Sequence, residues 1–386
     1  MHVDWSEWLN LAFRWLHLIT GIAWIGSSFY FVWLDNHLTK PAEGDASGEV
    51  WSVHGGGFYH KQKYQVAPAK MPEDLHWFKY EAYFTWISGF SLLVLIYYVG
   101  AQSFLIDPAR ADLSPAAGIA IGLASLAVGW LVYDLLCRSP LGQNNLLLGI
   151  FWFACLLWAA ILLNSLFSAR AAYLHIGAIT GTVMVANVFF IIIPNQRKVV
   201  ADLVAGRTPD PALGATAKQR SLHNNYMTLP VLFIMISNHY PMTYGAGRPW
   251  LVLALLGLTG VAIRHVFNLR GRGLPYGKTV VLSLVLAAAS VTYVTTEKGA
   301  TEQAPAGNVT YADVAPIFAT HCSGCHNANP PPLGVRLDNW EHASAAAARI
   351  RRVAVDSQIM PLGNPTHMTV AERQRLGAWI AAGTPQ

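Results

Sequence analysis

Charge is scarce in this chain of 386 residues. Asp, Glu, Lys and Arg make up 12% of it and hydrophobic residues 53%, whereas an ordinary soluble domain carries roughly 25% charged residues. A soluble enzyme is therefore a poor fit. The net charge of +5 is scattered; no Lys/Arg-rich arm or aromatic-interleaved basic stretch is present, which excludes a nucleic-acid reader. Cysteine is scarce too. Of the four, Cys137 and Cys155 lie in apolar segments and Cys322 and Cys325 in a polar region, so a disulfide framework is excluded. Phosphate loops, nucleophile elbows and HExxH pairs are absent.

What the sequence has instead is long apolar runs of about twenty residues, the length that crosses a bilayer core about 30 Å thick. Eight spans are expected, near 9–34, 77–100, 117–137, 146–168, 171–193, 224–240, 249–269 and 279–296. The sixth is the shortest and contains Pro230. The first is too long for a cleavable signal and lacks a basic n-region. With the amino terminus outside, loops on the inner side hold thirteen Lys and Arg, and those on the outer side hold three, Arg110, Arg170 and Arg248. The excess of Lys and Arg marks the cytoplasmic side, and an even number of spans puts the carboxyl terminus outside as well.

Composition changes after Lys298. Residues 299–308 are small and polar and read as a linker between a membrane domain, 1–298, and a second domain, 309–386. The second domain shows helical signals, the last opened by Thr369 and Glu372 at capping-box spacing. Within it, Cys322-Ser-Gly-Cys325-His326 is the C-x-x-C-H signature of covalent c-type haem attachment, two thioethers plus an axial His. A zinc site wants a second ligand pair and a thioredoxin-like site wants a strand before it, and neither is present. The sixth ligand falls to Met360, which precedes Pro361 in a loop ahead of the final helix, or to Met368; the arrangement favours Met360. The structural alternative for either Met is filling a small core. Haem is attached outside the bacterial cytoplasmic membrane, which agrees with the loop charges.

Ionisable residues inside spans are costly and mark candidate sites. They fall in two layers. Arg14, His17, His175 and His239 lie toward the outside. His17 and His175, on different helices, form the natural axial pair if the bundle holds a b-type haem, a second redox centre suited to a two-electron oxidation; otherwise they are interfacial histidines bound to carbonyls. Glu81, Asp134, His223 beside Asn224 and Asn225, and Arg264 beside His265 lie toward the cytoplasm. These read as a polar cavity able to bind an anion and move protons, with Glu81 or Asp134 neutralising Arg264 as the structural alternative. The glycine-rich loop His54–His60 reads as a lid or as a plain exposed loop. The overall expectation is an all-α polytopic membrane bundle of about eight spans followed by a small all-α c-type cytochrome domain.

The stretches LHLITGIAWIGSSFYFVWLDNHL, VHGGGFYHKQKY and SLHNNYMTLPVLFIMISNHYP, with the tail HCSGCH and IMPLGNPTHMT, resemble the bacterial membrane-bound urate oxidase family with a fused cytochrome c. The likeness covers essentially the whole chain. The first span alone is also similar to membrane protoporphyrinogen oxidases, whose first-helix His is implicated in haem binding and matches His17. The resemblance implies oxidation of urate to 5-hydroxyisourate, a step of purine degradation. Electrons would leave through cytochrome c toward a soluble cytochrome or terminal oxidase, in the bacterial inner membrane with both termini periplasmic. Arg264 would hold the urate anion, and His223 or His265 would take a proton. Two other readings remain: a non-catalytic membrane-anchored cytochrome relaying electrons from a quinol or partner dehydrogenase, and a dehydrogenase of another small molecule.

Overall fold

A computed structural model describes residues 5–64, 72, 74–108, 110–301, 309–327, 331, 334–356, 358–362, 364 and 366–386. The chain is an all-α membrane bundle. Helix α1 (Trp5–His37) is followed by strands β1 (Gly48–His54) and β2 (Gly57–Lys63). Next come α2 (Tyr80–Leu93), α3 (Pro115–Arg138), α4 (Asn145–Leu166), α5 (Ala169–Ala186), α6 (Ile193–Val204), α7 (Pro211–Ser237), the single turn α8 (Pro241–Tyr244), α9 (Pro249–Gly271) and α10 (Gly277–Thr301). Helix α2 continues through π-helical turns at Val94–Tyr98 and Ala101–Leu105, and α5 joins α6 through another at Asn187–Ile192. Eight long helical segments therefore follow the order of the expected spans.

Six of them are long and apolar enough to cross a membrane. The other two, α2 and α7, fall short for readable reasons. Helix α2 has 14 residues before its backbone widens into π turns. Helix α7 begins at Pro211, thirteen residues before the expected start at 224, because Asp210 caps Ala212 N and Pro211 takes the first helical position. Its first half is polar. Arg220, counted above as a loop cation, consequently lies inside a helix at 2% exposure.

Helix α5 is the axle of the bundle. Twelve of its 18 residues are buried, whereas none of the 33 in α1 is, so α1 has the outermost, lipid-facing position. The main cluster gathers Tyr97, Tyr133, Leu148, Phe167 and Val183 around α5. Ser114, Asn144 and Ser168 cap α3, α4 and α5, each satisfying backbone N–H groups that have no partner at a helix start.

The expected glycine-rich loop is a β-hairpin. Trp51 pairs with His60 and Val53 with Phe58, and Gly55 and Gly56 take φ of 58° and 79°, the left-handed pair that a two-residue type I′ turn requires. Lys63 Nζ to Asp35 Oδ1 at 2.6 Å ties the hairpin to the end of α1.

Beyond α10 the chain forms α11 (Tyr311–His321), α12 (Ser323–His326), α13 (Trp340–Ala345), α14 (Ala347–Ile350) and α15 (Val370–Ala381). Helix α10 runs to Thr301, into the expected linker, and 302–308 lie outside the described residues. A separate cluster of Val314, Phe318, Met368, Leu376 and Trp379 holds these helices together. Thr369 and Glu372 make the expected capping box at the start of α15; Thr310 and Asp313 make another at α11.

Candidate functional site

Two polar clusters lie side by side in the half of the bundle where α7 begins. The first is centred on Arg220. Its Nη2 donates to Asp134 Oδ1 at 2.7 Å and its Nη1 to Asn187 Oδ1 at 3.2 Å, and its guanidinium carbon sits 5.1 Å from the Tyr133 ring centre. Arg138 takes the other Asp134 oxygen at 2.6 Å. Asp134 is thus a neutralised partner, not a free acid. Asn187, in the π turn between α5 and α6, donates to Asn224 Oδ1 at 2.9 Å and to the Tyr133 hydroxyl at 3.2 Å. That leaves the Tyr133 proton for His223 Nδ1 at 2.8 Å, and His223 Nε2 faces Asn145 Oδ1 at 3.1 Å.

The second cluster is centred on Arg264, 6% exposed. Its Nε donates to Asn225 Oδ1 at 2.9 Å, which also accepts from Asn268 Nδ2 at 3.0 Å. The guanidinium carbon lies 3.8 Å from the Phe29 ring centre on α1, a cation–π contact. Among the described residues no carboxylate pairs with Arg264. Asn225 Nδ2 and Asn268 Oδ1 are buried without a hydrogen-bond partner. A buried, unpaired cation next to a free donor and a free acceptor is expensive unless a ligand completes it. His265 turns to the next residue of α7, with Nδ1 2.7 Å from the Tyr226 hydroxyl.

The inner candidates therefore divide. Arg264 and Asn225 stand together with His265 adjacent, whereas Asp134 and His223 belong to the Arg220 cluster. Glu81, in the first turn of α2, joins neither. Arg220, Asn187, Tyr133, Asn268 and Phe29 were not singled out from the sequence. A signal existed for two of them: Arg220 and Asn224, and likewise Arg264 and Asn268, are spaced i,i+4 and so share a helix face.

The outer histidines sit apart. His17 Nδ1 lies 2.9 Å from Thr85 O and 3.2 Å from Ser88 Oγ on α2, and a Cβ at Gly89 would come within 2.8 Å of its ring. His175 is fully buried. Its Nδ1 meets Ala171 O at 2.8 Å and its Nε2 the Tyr98 hydroxyl at 3.3 Å, and a Cβ at Gly122 would approach that Nε2 to 2.8 Å. With both ring nitrogens engaged and no room beside the ring, His175 does not fit an axial ligand, so a His17–His175 site for a b-type haem does not fit this packing.

The residues of the C-terminal unit do fit a haem c. Cys322 closes α11 and packs against the apolar cluster, while Cys325 is exposed, and both are free thiols. His326 Nδ1 donates to Val335 O at 2.9 Å, the kind of second contact that fixes the ring of a metal-binding His, and Nε2 is left without a partner among the described residues. Met360 is half-buried against the same cluster. Its carbonyl is held by Arg373 Nη1 at 2.6 Å and its N–H by Val353 O at 2.9 Å. Met368 is 1% exposed, a core residue.

Residues 4–296, about three quarters of the chain, match the family model described as urate oxidase N-terminal. No curated protein and no solved structure matches.

Proposed function

The chain belongs to the urate oxidase N-terminal family, and from that membership we propose a membrane oxidoreductase that converts urate to 5-hydroxyisourate. Electrons would leave through a haem c in residues 309–386 toward a soluble cytochrome or a terminal oxidase. The reaction takes urate and water to 5-hydroxyisourate with release of two protons and two electrons. The observation that carries the reading is Arg264. Urate is a planar monoanion at neutral pH, edged by alternating N–H and C=O groups, and the second cluster offers the complement: the guanidinium Nη groups for the charge, Asn225 Nδ2 for a carbonyl and Asn268 Oδ1 for an N–H. The His265–Tyr226 pair, one residue along on each helix, is a group able to take a proton.

A haem c, once bound, supplies a one-electron acceptor. What the chain itself contributes there is the Cys322 and Cys325 thiols, the His326 ring oriented by Val335 O, and Met360 with its backbone tied to Arg373 and Val353. We place the protein in the bacterial inner membrane with both termini periplasmic. The C-terminal unit touches the loop carrying Arg110 and the start of α5, on the side where the loops hold few basic residues, and this supports that orientation.

Purified protein given urate alone, under anaerobic conditions, should develop the absorption bands of a reduced c-type cytochrome. A haem that dithionite reduces and urate does not would sink the reading and leave an electron relay.

A further inference from the structure

The Met360 loop does not stand free. Ile359 and Pro361, its sequence neighbours, share a cleft with Asp107, Arg110 and Arg170 of the bundle, and Asn364 Nδ2 donates to Asp107 Oδ1 at 3.3 Å. The bundle side is held in place. Arg110 Nε lies 3.5 Å from Asp107 Oδ2, and its Nη1 donates to Asn164 O at 2.6 Å. Arg170 Nε donates to Asn238 Oδ1 at 3.0 Å, with the guanidinium carbon 6.0 Å from the Tyr97 ring centre. On the facing side, Arg373 is 4% exposed and binds the carbonyls of both Met360 and Ala354. Two of the three basic residues in the outer loops thus gather at one spot, against the loop that bears the sixth-ligand candidate.

We propose that this junction is the seat through which the bundle controls the sixth-ligand side of the haem unit, with Asp107 and Arg110 as positioning residues that set the local field. The proposal rests on the reading of 309–386 as a haem c unit. Its physics is simple: ferric haem carries one more positive charge than ferrous. A nearby carboxylate therefore favours the oxidised form and a nearby guanidinium the reduced form, and an ion pair at short range holds the two effects in balance. Asp107→Asn keeps the acceptor for Asn364 while removing the charge; Arg110→Gln removes the opposite charge. Neither residue lies in the unit that would hold the iron, so a cytochrome indifferent to the bundle would ignore both.

The test is a redox titration of the full-length haem-loaded protein in detergent, followed through its absorption bands. Asp107→Asn should raise the midpoint potential and Arg110→Gln should lower it. Arg207→Gln, at an exposed site on α7's side of the bundle, serves as the distant control and should shift nothing. If Arg110→Gln fails to fold, Arg170→Gln takes its place with the same expected sign. Unchanged potentials in Asp107→Asn and the Arg variant, or shifts of the same sign, would overturn the proposal while leaving the haem reading intact. Absence of covalent haem from the unsubstituted protein on a denaturing gel would overturn the haem reading, and the proposal with it.

Discussion

Two buried arginines have opposite fates. Arg220 has its carboxylate in Asp134; Arg264 has only an amide and a ring. Removing Arg220 leaves the half-buried Asp134 to Arg138 alone and takes the donor from Asn187 Oδ1, so Arg220→Ala should lower stability by about 1.5–3 kcal/mol, read as a fall in melting temperature in detergent. Arg264→Gln should leave the fold nearly as stable and raise the KM for urate by roughly 10- to 100-fold, the worth of a hydrogen bond to a charged group. Equal KM values in Arg264→Gln and the parent would remove Arg264 from the site. The two methionines make a similar contrast. Met360→Ala should abolish the Met-to-iron absorption band with little change in melting. Met368→Ala should keep the band and destabilise the C-terminal unit by about 2–5 kcal/mol, as buried Met truncations do. The choice of Met360 rests on the Met-Pro order and on its loop ahead of the final helix; Met368 is the more buried of the two.

At the scale of elements, helix α15 carries a pH signature. The Thr369 N–H and hydroxyl, with His321 behind them, hold the Glu372 carboxyl down to about 2 from an ordinary 4.5. A depressed folded value means that the contribution is complete above pH 4.5 and is lost as pH falls toward 2. Partial exposure of Glu372 keeps it modest. Glu372→Gln retains the geometry of the cap without the charge, so melting curves taken from pH 5 to pH 2 should fall less steeply for the variant than for the parent. This box was legible because both partners lie within one turn. The start of α7 was not: hydropathy saw only its apolar half, while Asp210 and Pro211 set the true beginning. Nor was the hairpin at 48–63, whose strands are polar enough to read as loop and whose pairing is fixed by the turn at Gly55 and Gly56. Local caps can be read in sequence, whereas pairings across space cannot: His17 and His175, paired above as candidate axial ligands, turn to different partners in the fold.

For the whole molecule the order of helices was legible and the composition of the site was not. Arg264, Asn225 and Phe29 come from α9, α7 and α1 and meet only on folding. The topology also fixes depth. Arg264 lies fifteen residues after Pro249, where α9 begins, so at about 1.5 Å per residue it sits roughly 22 Å down the helix, and with the proposed orientation its cluster is nearer the cytoplasm. Urate added to inside-out vesicles should then reduce the haem at once, and sealed right-side-out vesicles should respond only after permeabilisation. Equal rates in both, in membranes lacking a urate transporter, would move the substrate site to the outer half.

Asn224 and Asn225 are consecutive on α7, yet each serves a different cluster. One inserted residue turns everything beyond it by about 100° and advances it about 1.5 Å. An insertion between Arg220 and Asn224 would therefore pull Asn224 from Asn187 and Asn225 from Arg264 in a single event. Helix length between Arg220 and Asn225 is consequently fixed by geometry, apart from which residues stand there. An insertion in the 205–210 connection, outside both helices, carries no such rotation into α7.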